Sequence, residues 1–326
     1  AGFFRICQPA RWGGFELDPQ VFFDVQMTLA EGCMSSAWVL GVVAIHNWQL
    51  ALFDDRAAAD VWADDDSVLI SSSYMPVGEV TRVEGGFRLS GRWGFSSGSK
   101  HCQWVFLGAV CPPLESGDAP DMRTFLLPAA DYSIEDNWDV MGLQGTGSHD
   151  IVVNDVFVPE YRTHKALDGF SCNSPGNEVN DAALFRIPFG QIFVRAVSTS
   201  SIGALQGAID SYRDVIGVRV GINDGKRAAE DPVAQQALAD AAMVVDQQKL
   251  VLHRNFARIM DAVLGDEPLT MEERVKIRYD SAAVSDACVA AMDRLLGCSG
   301  ASGMFYSHPL NRYFRDLHSG RGHVAN

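Results

Sequence analysis

The sequence predicts an α+β fold in three parts: an N-terminal helical domain, a central antiparallel β-barrel or sandwich, and a C-terminal helical bundle. Two observations predict it. Apolar residues recur at helical spacing over residues 1–65, alternate over 66–160, and return to helical spacing over 161–326. The middle stretch is also where Gly, Ser and Asn interrupt β-branched and aromatic residues, as turns interrupt short strands.

Each element has its own signal. Asp18-Pro19 opens the first helix, with Val21, Phe22, Val25 and Leu29 on one face. A second helix runs from Ser35 through Trp38, Val42 and Ile45 to Leu52, and a third covers Arg56 to Trp62. Val68-Leu69-Ile70 is a short apolar strand. Val80–Val83, the turn Glu84-Gly85-Gly86 and Phe87–Ser90 form a hairpin. Trp104–Leu107, Thr124–Leu127 and Ile151–Val153 add strands. Residues 160–182 are polar and rich in Gly and Asn, which predicts a mobile surface loop. Three long helices follow, marked by Ile202–Ile216, by Leu238–Val263 after Asp231-Pro232, and by Ala282–Leu296 before Gly297 and Gly300. A short fourth runs from Pro309 to about Leu317.

Composition narrows the function classes. With 326 residues, 47% of them hydrophobic, the chain can fill more than one core. A net charge of −15 argues against nucleic acid and anionic membrane as partners, since both need basic surface. No run approaches the roughly eighteen uncharged apolar residues of a membrane helix. The seven cysteines are scattered, odd in number and without CxxC spacing, which points to a reducing, cytoplasmic setting. No GxGxxG follows a strand, so no nicotinamide site is visible. The opening residues resemble the interior of a domain, and the expectation is that the chain is incomplete at its N-terminus.

Two segments carry a family resemblance: Gly91-Arg92-Trp93-Gly94-Phe95-Ser96-Ser97-Gly98, and GLQGTGSHDIVVNDVFVP at 142–159. In this order, ahead of a helical bundle, they resemble the acyl-CoA dehydrogenase superfamily of flavoproteins. The resemblance implies the acyl-CoA dehydrogenase-like fold, with the first segment along a flavin ring. Serine runs suit that role, because they offer small hydroxyls and free backbone N–H groups. The implied flavin-binding residues are Trp38, Ser72, Ser73, Phe95, Ser96 and Ser97. Arg219 is implied to reach a flavin phosphate across a subunit interface, which a guanidinium fork suits. Ala301 and Ser302, in Ser299-Gly300-Ala301-Ser302-Gly303, match a turn that meets a neighbouring subunit's cofactor. Taken alone, each has a plainer role: turn serines, a helix-end arginine, a helix cap.

The chain departs from the dehydrogenases at its end. Those enzymes commonly place a glutamate base after an Arg-Asp pair. The pair stands here as Arg315-Asp316, but residues 317–326 hold no glutamate. The ending His318-Ser319-Gly320-Arg321-Gly322-His323-Val324-Ala325-Asn326 resembles instead the oxygenase components of two-component flavin-dependent aromatic hydroxylases, including p-hydroxyphenylacetate and secosteroid hydroxylases. Ile45–Leu50 and Ile70–Tyr74 look like the steroid-degrading members.

That resemblance implies reduced flavin (FMNH2 or FADH2) and O2 as co-substrates, and a C4a-hydroperoxyflavin that hydroxylates a phenolic or polycyclic aromatic, a steroid-derived phenol first among them. It implies a homotetramer and a separate NAD(P)H:flavin reductase. His46 is implied to hold the substrate hydroxyl with Ser72, His323 to face the flavin, and Ser97 to steady the hydroperoxide. An imidazole can draw a phenol toward phenolate. On residue type alone, His46 is a buried histidine satisfied by a carbonyl, and His323 a surface-loop histidine like His101, His149, His164 and His308. The alternative is an acyl-CoA dehydrogenase or oxidase with FAD, against which the missing glutamate counts.

Overall fold

The computed structural model describes residues 2–113, 120–221, 225–265 and 267–325. Eight α-helices and seven strands alternate in blocks among the described residues: α1 (Pro19–Gly32), α2 (Met34–Leu50) and α3 (Asp55–Trp62), then β1 (Ile70–Val83), β2 (Gly86–Ser96), β3 (Trp104–Cys111), β4 (Asp121–Pro128), β5 (Ser133–Glu135), β6 (His149–Pro159) and β7 (Thr163–Lys165), then α4 (Ala166–Ser171), α5 (Phe189–Val218), α6 (Pro232–Leu264), α7 (Met271–Cys298) and α8 (Pro309–Arg321).

The helix starts follow from local chemistry. Asp18, Asp54 and Asp231 each accept a hydrogen bond from the N–H two residues on, satisfying one orphan donor of the first turn. Proline stands at the start of α1 and α6, where its missing N–H costs nothing. Thr270 and Glu273 form a reciprocal capping box on α7.

The strands lie in the order β5-β6-β2-β1-β3-β4-β7. The hairpin expected at residues 80–90 is present, with Val80 opposite Leu89 and Val83 opposite Gly86. The sheet is mixed, however, and not wholly antiparallel: Ile70–Ser73 of β1 run parallel to Trp104–Leu107 of β3. β1 is longer than expected and serves both halves of the sheet, pairing with β3 first and with β2 after Gly78. A Cβ on Gly78 would sit 2.6 Å from the Trp93 ring, so the crossing needs glycine. Both halves bury one core of Phe87, Leu89, Trp93, Val105, Leu107, Phe125 and Ile151.

Residues 160–182, expected as a surface loop, hold regular elements. β7 closes the sheet edge against β4, α4 follows it, and Thr163 and His164 are buried. Composition misled because the polar residues here satisfy one another: His164 Nε2 meets Ser174 Oγ at 2.9 Å, and Ser174 caps a short turn with Asn177.

α1 and α2 share a single core with α5, α6, α7 and α8, so the two helical regions are packed together. α5 is long and apolar enough to cross a membrane, but 89% of its most apolar window is buried inside the fold, as befits the central helix of a bundle. α2 is buried nearly all round, from Trp38 to Leu50. Its buried polar residues His46, Asn47 and Gln49 are therefore conspicuous.

Candidate functional site

The end of β2 carries a bulge. Trp93 pairs with Ile151 and Ser96 with His149, so β2 has one residue more than its partner between the two pairs. Phe95 absorbs the excess in the left-handed region, at φ 64°, which is uncommon for a bulky residue. The twist throws Phe95 out, 67% exposed, onto the edge of Trp138, and turns both Ser96 and Ser97 inward. Gly98 follows at φ 71°, with the side chains of Val39 and Val43 of α2 against the place its Cβ would take. Strained backbone of this kind, held by its surroundings, concentrates at functional sites.

Ser97 accepts from Trp38 Nε1 at 3.3 Å and meets Ser148 Oγ at 2.8 Å. Trp38 in turn stands edge-on to His323, with ring centroids 5.6 Å apart. The structure thus brings Trp38, Ser97 and His323 into one group. Ser96 Oγ and Ser99 Oγ are buried without a partner in the same bend, and such groups are rare unless something else binds there.

A second group lies further along α2. Eight residues of helix separate Trp38 from His46, about 12 Å. His46 is fully enclosed, its ring edge-on to Tyr74 and Phe106. Tyr74 Oη meets Gln49 Oε1 and the Ser72 hydroxyl. Tyr74 also lines a cavity of about 200 Å³ with Gln49, Phe189, Phe193 and His164. Ser73, one step back on β1, is buried.

The two histidines are in opposite tautomers. His46 Nδ1 lies 2.6 Å from the Ile70 carbonyl, which can only accept, so Nδ1 carries the proton and Nε2 is a bare, buried acceptor. His323 Nδ1 accepts from the Ala325 N–H at 3.0 Å, so its proton sits on Nε2. Burial pushes both rings down to about 4, aided at His323 by Arg278, and both are neutral near pH 7. His46 therefore offers a base and His323 a donor. The plain expectation for His46, satisfaction by a carbonyl, holds for one nitrogen only. His149 and His164, grouped with the surface histidines, are buried.

Arg219, Ala301 and Ser302 form a separate group. Arg219 caps the end of α5 and donates to the Cys298 carbonyl at 2.9 Å, beside the 299–303 turn. Arg278 Nη1 donates to the Ala325 carbonyl, next to His323. The twenty residues of α7 between Arg278 and Cys298 span about 30 Å. Within one chain the Arg219 group is thus remote from Ser97.

The sequence did not single out Thr146, Ser148, Gln49, Tyr74 or Asp316. Asp316, buried on α8, accepts the Leu143 N–H at 2.6 Å and holds Leu143 in the left-handed region, at φ 54°. Asp316 had a signal in the Arg-Asp pair, and Thr146 and Ser148 lay in the quoted GLQGTGSHD segment; the left-handed leucine has none.

The geometry fits an isoalloxazine ring: an aromatic wall in Trp38, the hydroxyl of Ser97, and the unpaired buried oxygens of Ser96 and Ser99. Residues 196–326 match the family model of the acyl-CoA dehydrogenase C-terminal domain. The whole chain aligns at 38% identity with 85% of the flavin-dependent monooxygenase oxygenase subunit HsaA of Rhodococcus jostii (strain RHA1). It belongs to this flavin-dependent monooxygenase family. The FADH(2)-dependent resorcinol hydroxylase oxygenase component of Rhizobium sp. (strain MTP-10005) is 33% identical over 99% of this chain and 81% of the relative. The crystal structure of 3-HSA hydroxylase from Rhodococcus sp. RHA1 superposes with a TM-score of 0.93 at 37% identity, covering 100% of this chain and 83% of that one. As a family member the chain is the oxygenase component of a two-component system, using reduced flavin and O2.

Proposed function

We propose that this oxygenase component hydroxylates a phenolic polycyclic substrate, a steroid-derived phenol first among them, with His46 as the substrate's anchor and base. The observation that carries the reading is the bare Nε2 of His46. A neutral imidazole whose other nitrogen is tied to Ile70 has one thing left to do, which is to accept a hydrogen bond, here from a phenol hydroxyl. Tyr74, edge-on to His46, shares a hydrogen bond with Ser72, and the cavity beside Tyr74 has the near-parallel rings of Phe189 and Phe193 as a wall for flat substrates.

Bound reduced flavin supplies the activated oxygen atom that the ring carbon takes up. The chain's own residues do the rest. Trp38, Phe95, Ser96, Ser97, Ser72 and Ser73 would hold the flavin. His46 accepts the phenol's hydrogen bond at Nε2 and polarises the O–H as the ring becomes the nucleophile, and His323, with its Nε2–H, offers a hydrogen bond on the flavin side. Trp38 stands between Ser97 and His323, donating to the one and packing edge-on to the other.

The test is to supply the protein with photoreduced flavin, O2 and phenols of one to three rings. The expected result is a catechol, with yield rising as rings are added. Oxidation of an acyl-CoA in place of any phenol would replace this reading with the dehydrogenase alternative.

Ser97→Ala is expected to leave reduced-flavin oxidation running but to divert it from product to H2O2. The lost hydrogen bond is worth about 1 kcal/mol or more in a dry site, enough to lower the yield several-fold. The product-to-H2O2 ratio checks it, and an unchanged ratio would remove Ser97 from the site.

The chain is further proposed to act as a homotetramer, with Arg219, Ala301 and Ser302 serving a neighbour's flavin. Two observations support this: the distance of Arg219 from Ser97 within one chain, and the exposed apolar residues around it, Val218, Met304, Phe305 and Tyr306. Arg219→Ala should weaken flavin binding at sites shared between subunits. A monomer in light scattering that still binds flavin at full strength would overturn it.

A further inference from the structure

Ser97 is the front of a chain of hydroxyls that runs back into the protein. Ser97 Oγ lies 2.8 Å from Ser148 Oγ, Ser148 Oγ lies 2.6 Å from Thr146 Oγ1, and Thr146 Oγ1 lies 2.8 Å from the Leu143 carbonyl oxygen. All three hydroxyl-bearing residues are buried. Three short oxygen–oxygen gaps are shared by three hydroxyl protons. A gap this short with no proton in it sets lone pair against lone pair, so each gap holds one.

The last gap decides the direction. A carbonyl oxygen cannot donate, so Thr146 must donate to Leu143. Ser148 must then donate to Thr146, and Ser97 to Ser148. At the front, Trp38 Nε1 can only donate, and it occupies one lone pair of Ser97. What Ser97 has left to offer is a second lone pair and no proton. The anchor at the far end is firm, because Asp316 holds the Leu143 N–H and the Gly98 N–H binds the Thr146 carbonyl at 2.8 Å.

A flavin's N5 is a bare acceptor when oxidised and carries a hydrogen when reduced. An acceptor opposite N5 thus meets a donor in one redox state and another lone pair in the other. We propose that the Ser97–Ser148–Thr146 chain, polarised toward the Leu143 carbonyl, makes Ser97 an obligate acceptor and thereby selects reduced over oxidised flavin. Ser148 and Thr146 are then positioning residues. The proposal rests on the reading that places Ser97 beside the flavin.

Binding, not turnover, tests it. The affinities of oxidised and anaerobically reduced FMN and FAD are measured by equilibrium dialysis for the wild type and four variants. Thr146→Val removes the acceptor that draws the Ser148 proton back. Ser148 can then turn to Ser97, and Ser97 can turn its own proton outward. Oxidised flavin should bind more tightly and reduced flavin less, lowering the preference for the reduced form roughly tenfold. Ser148→Ala frees the Ser97 proton directly and should act alike, so a Thr146→Val that fails to fold still leaves a test. Thr146→Ser keeps the hydroxyl and should restore the wild-type preference. If Ser97→Ala changes neither affinity, Ser97 does not meet the flavin, and that reading falls with the proposal. If Ser97→Ala shifts the preference while Thr146→Val and Ser148→Ala do not, the hydroxyl chain is overturned and Ser97's place stands. A shift that Thr146→Ser fails to restore also overturns it.

Discussion

Replacing His46 by alanine is expected to cut hydroxylation by roughly a hundredfold or more while reduced flavin is still oxidised by O2. The ring is held so that Nδ1 binds Ile70 and Nε2 is bare, whereas His164, the other buried histidine beside Tyr74, has its Nε2 on Ser174. Without it a bound phenol's O–H is not polarised, and the flavin's reducing power goes to H2O2. The Ile70 carbonyl loses its partner as well, which costs about 1–3 kcal/mol of stability. His46→Asn returns a donor to Ile70 but no base. It should recover folding without recovering product. His323→Ala should act differently, slowing flavin oxidation even with no aromatic present, because His323 packs on Trp38 beside Ser97. Product and H2O2 measured separately in each variant decide the matter. Wild-type hydroxylation in both His46→Ala and His323→Ala would sink the two assignments together.

The second large effect is on stability in mild acid. Burial holds His46, His164 and His323 down to about 4, against an ordinary value of 6.5 in the unfolded chain. A histidine with a depressed folded value contributes its full stability above 6.5. That contribution is lost as pH falls from 6.5 toward 4, because the unfolded chain takes up protons that the folded chain refuses. Each enclosed ring is worth about 2–3 kcal/mol by pH 4.5, with His323, the least enclosed, worth least. This window lies above that of carboxylates such as Asp54 and Asp136, whose hydrogen bonds are lost only below their ordinary value of 3.8. Denaturant unfolding at pH 7.5, 5.5 and 4.5 should show a loss of several kcal/mol, on the order of half or more of a typical domain's stability. His164→Gln, remote from the catalytic histidines in sequence and bonded only to Ser174, should flatten the curve by about one proton's worth. A flat profile from 6.5 to 4.5 would mean that these rings titrate freely in the folded protein.

How far the sequence determined this protein can be judged element by element. Helix starts at Asp18-Pro19 and Asp231-Pro232, the hairpin at 80–90 and the long bundle helices are local decisions, made by caps, turns and periodicity within a few residues. The family resemblance was legible for the same reason: short contiguous segments, 91–98, 142–159 and 318–326, carry it. Ser97 and His323 were named from those segments and Trp38 from the family resemblance, and the three do meet in space.

Only the tertiary structure decided what lay between segments. The parallel pairing of β1 with β3 joins strands separated by a hairpin, and no local pattern distinguishes it from an antiparallel pairing. Residues 160–182 looked like a loop because their hydrogen-bond partners are long-range or mutual, and composition counts polar atoms without seeing whether they are satisfied. The tautomers of His46 and His323 depend on a carbonyl twenty-four residues away in one case and a neighbouring N–H in the other. The proton direction at Ser97 is set at Leu143, whose left-handed backbone is held by a carboxylate 173 residues along the chain. Residue types determine which hydrogen bonds are available; only the packed fold settles which are made and which way each proton points.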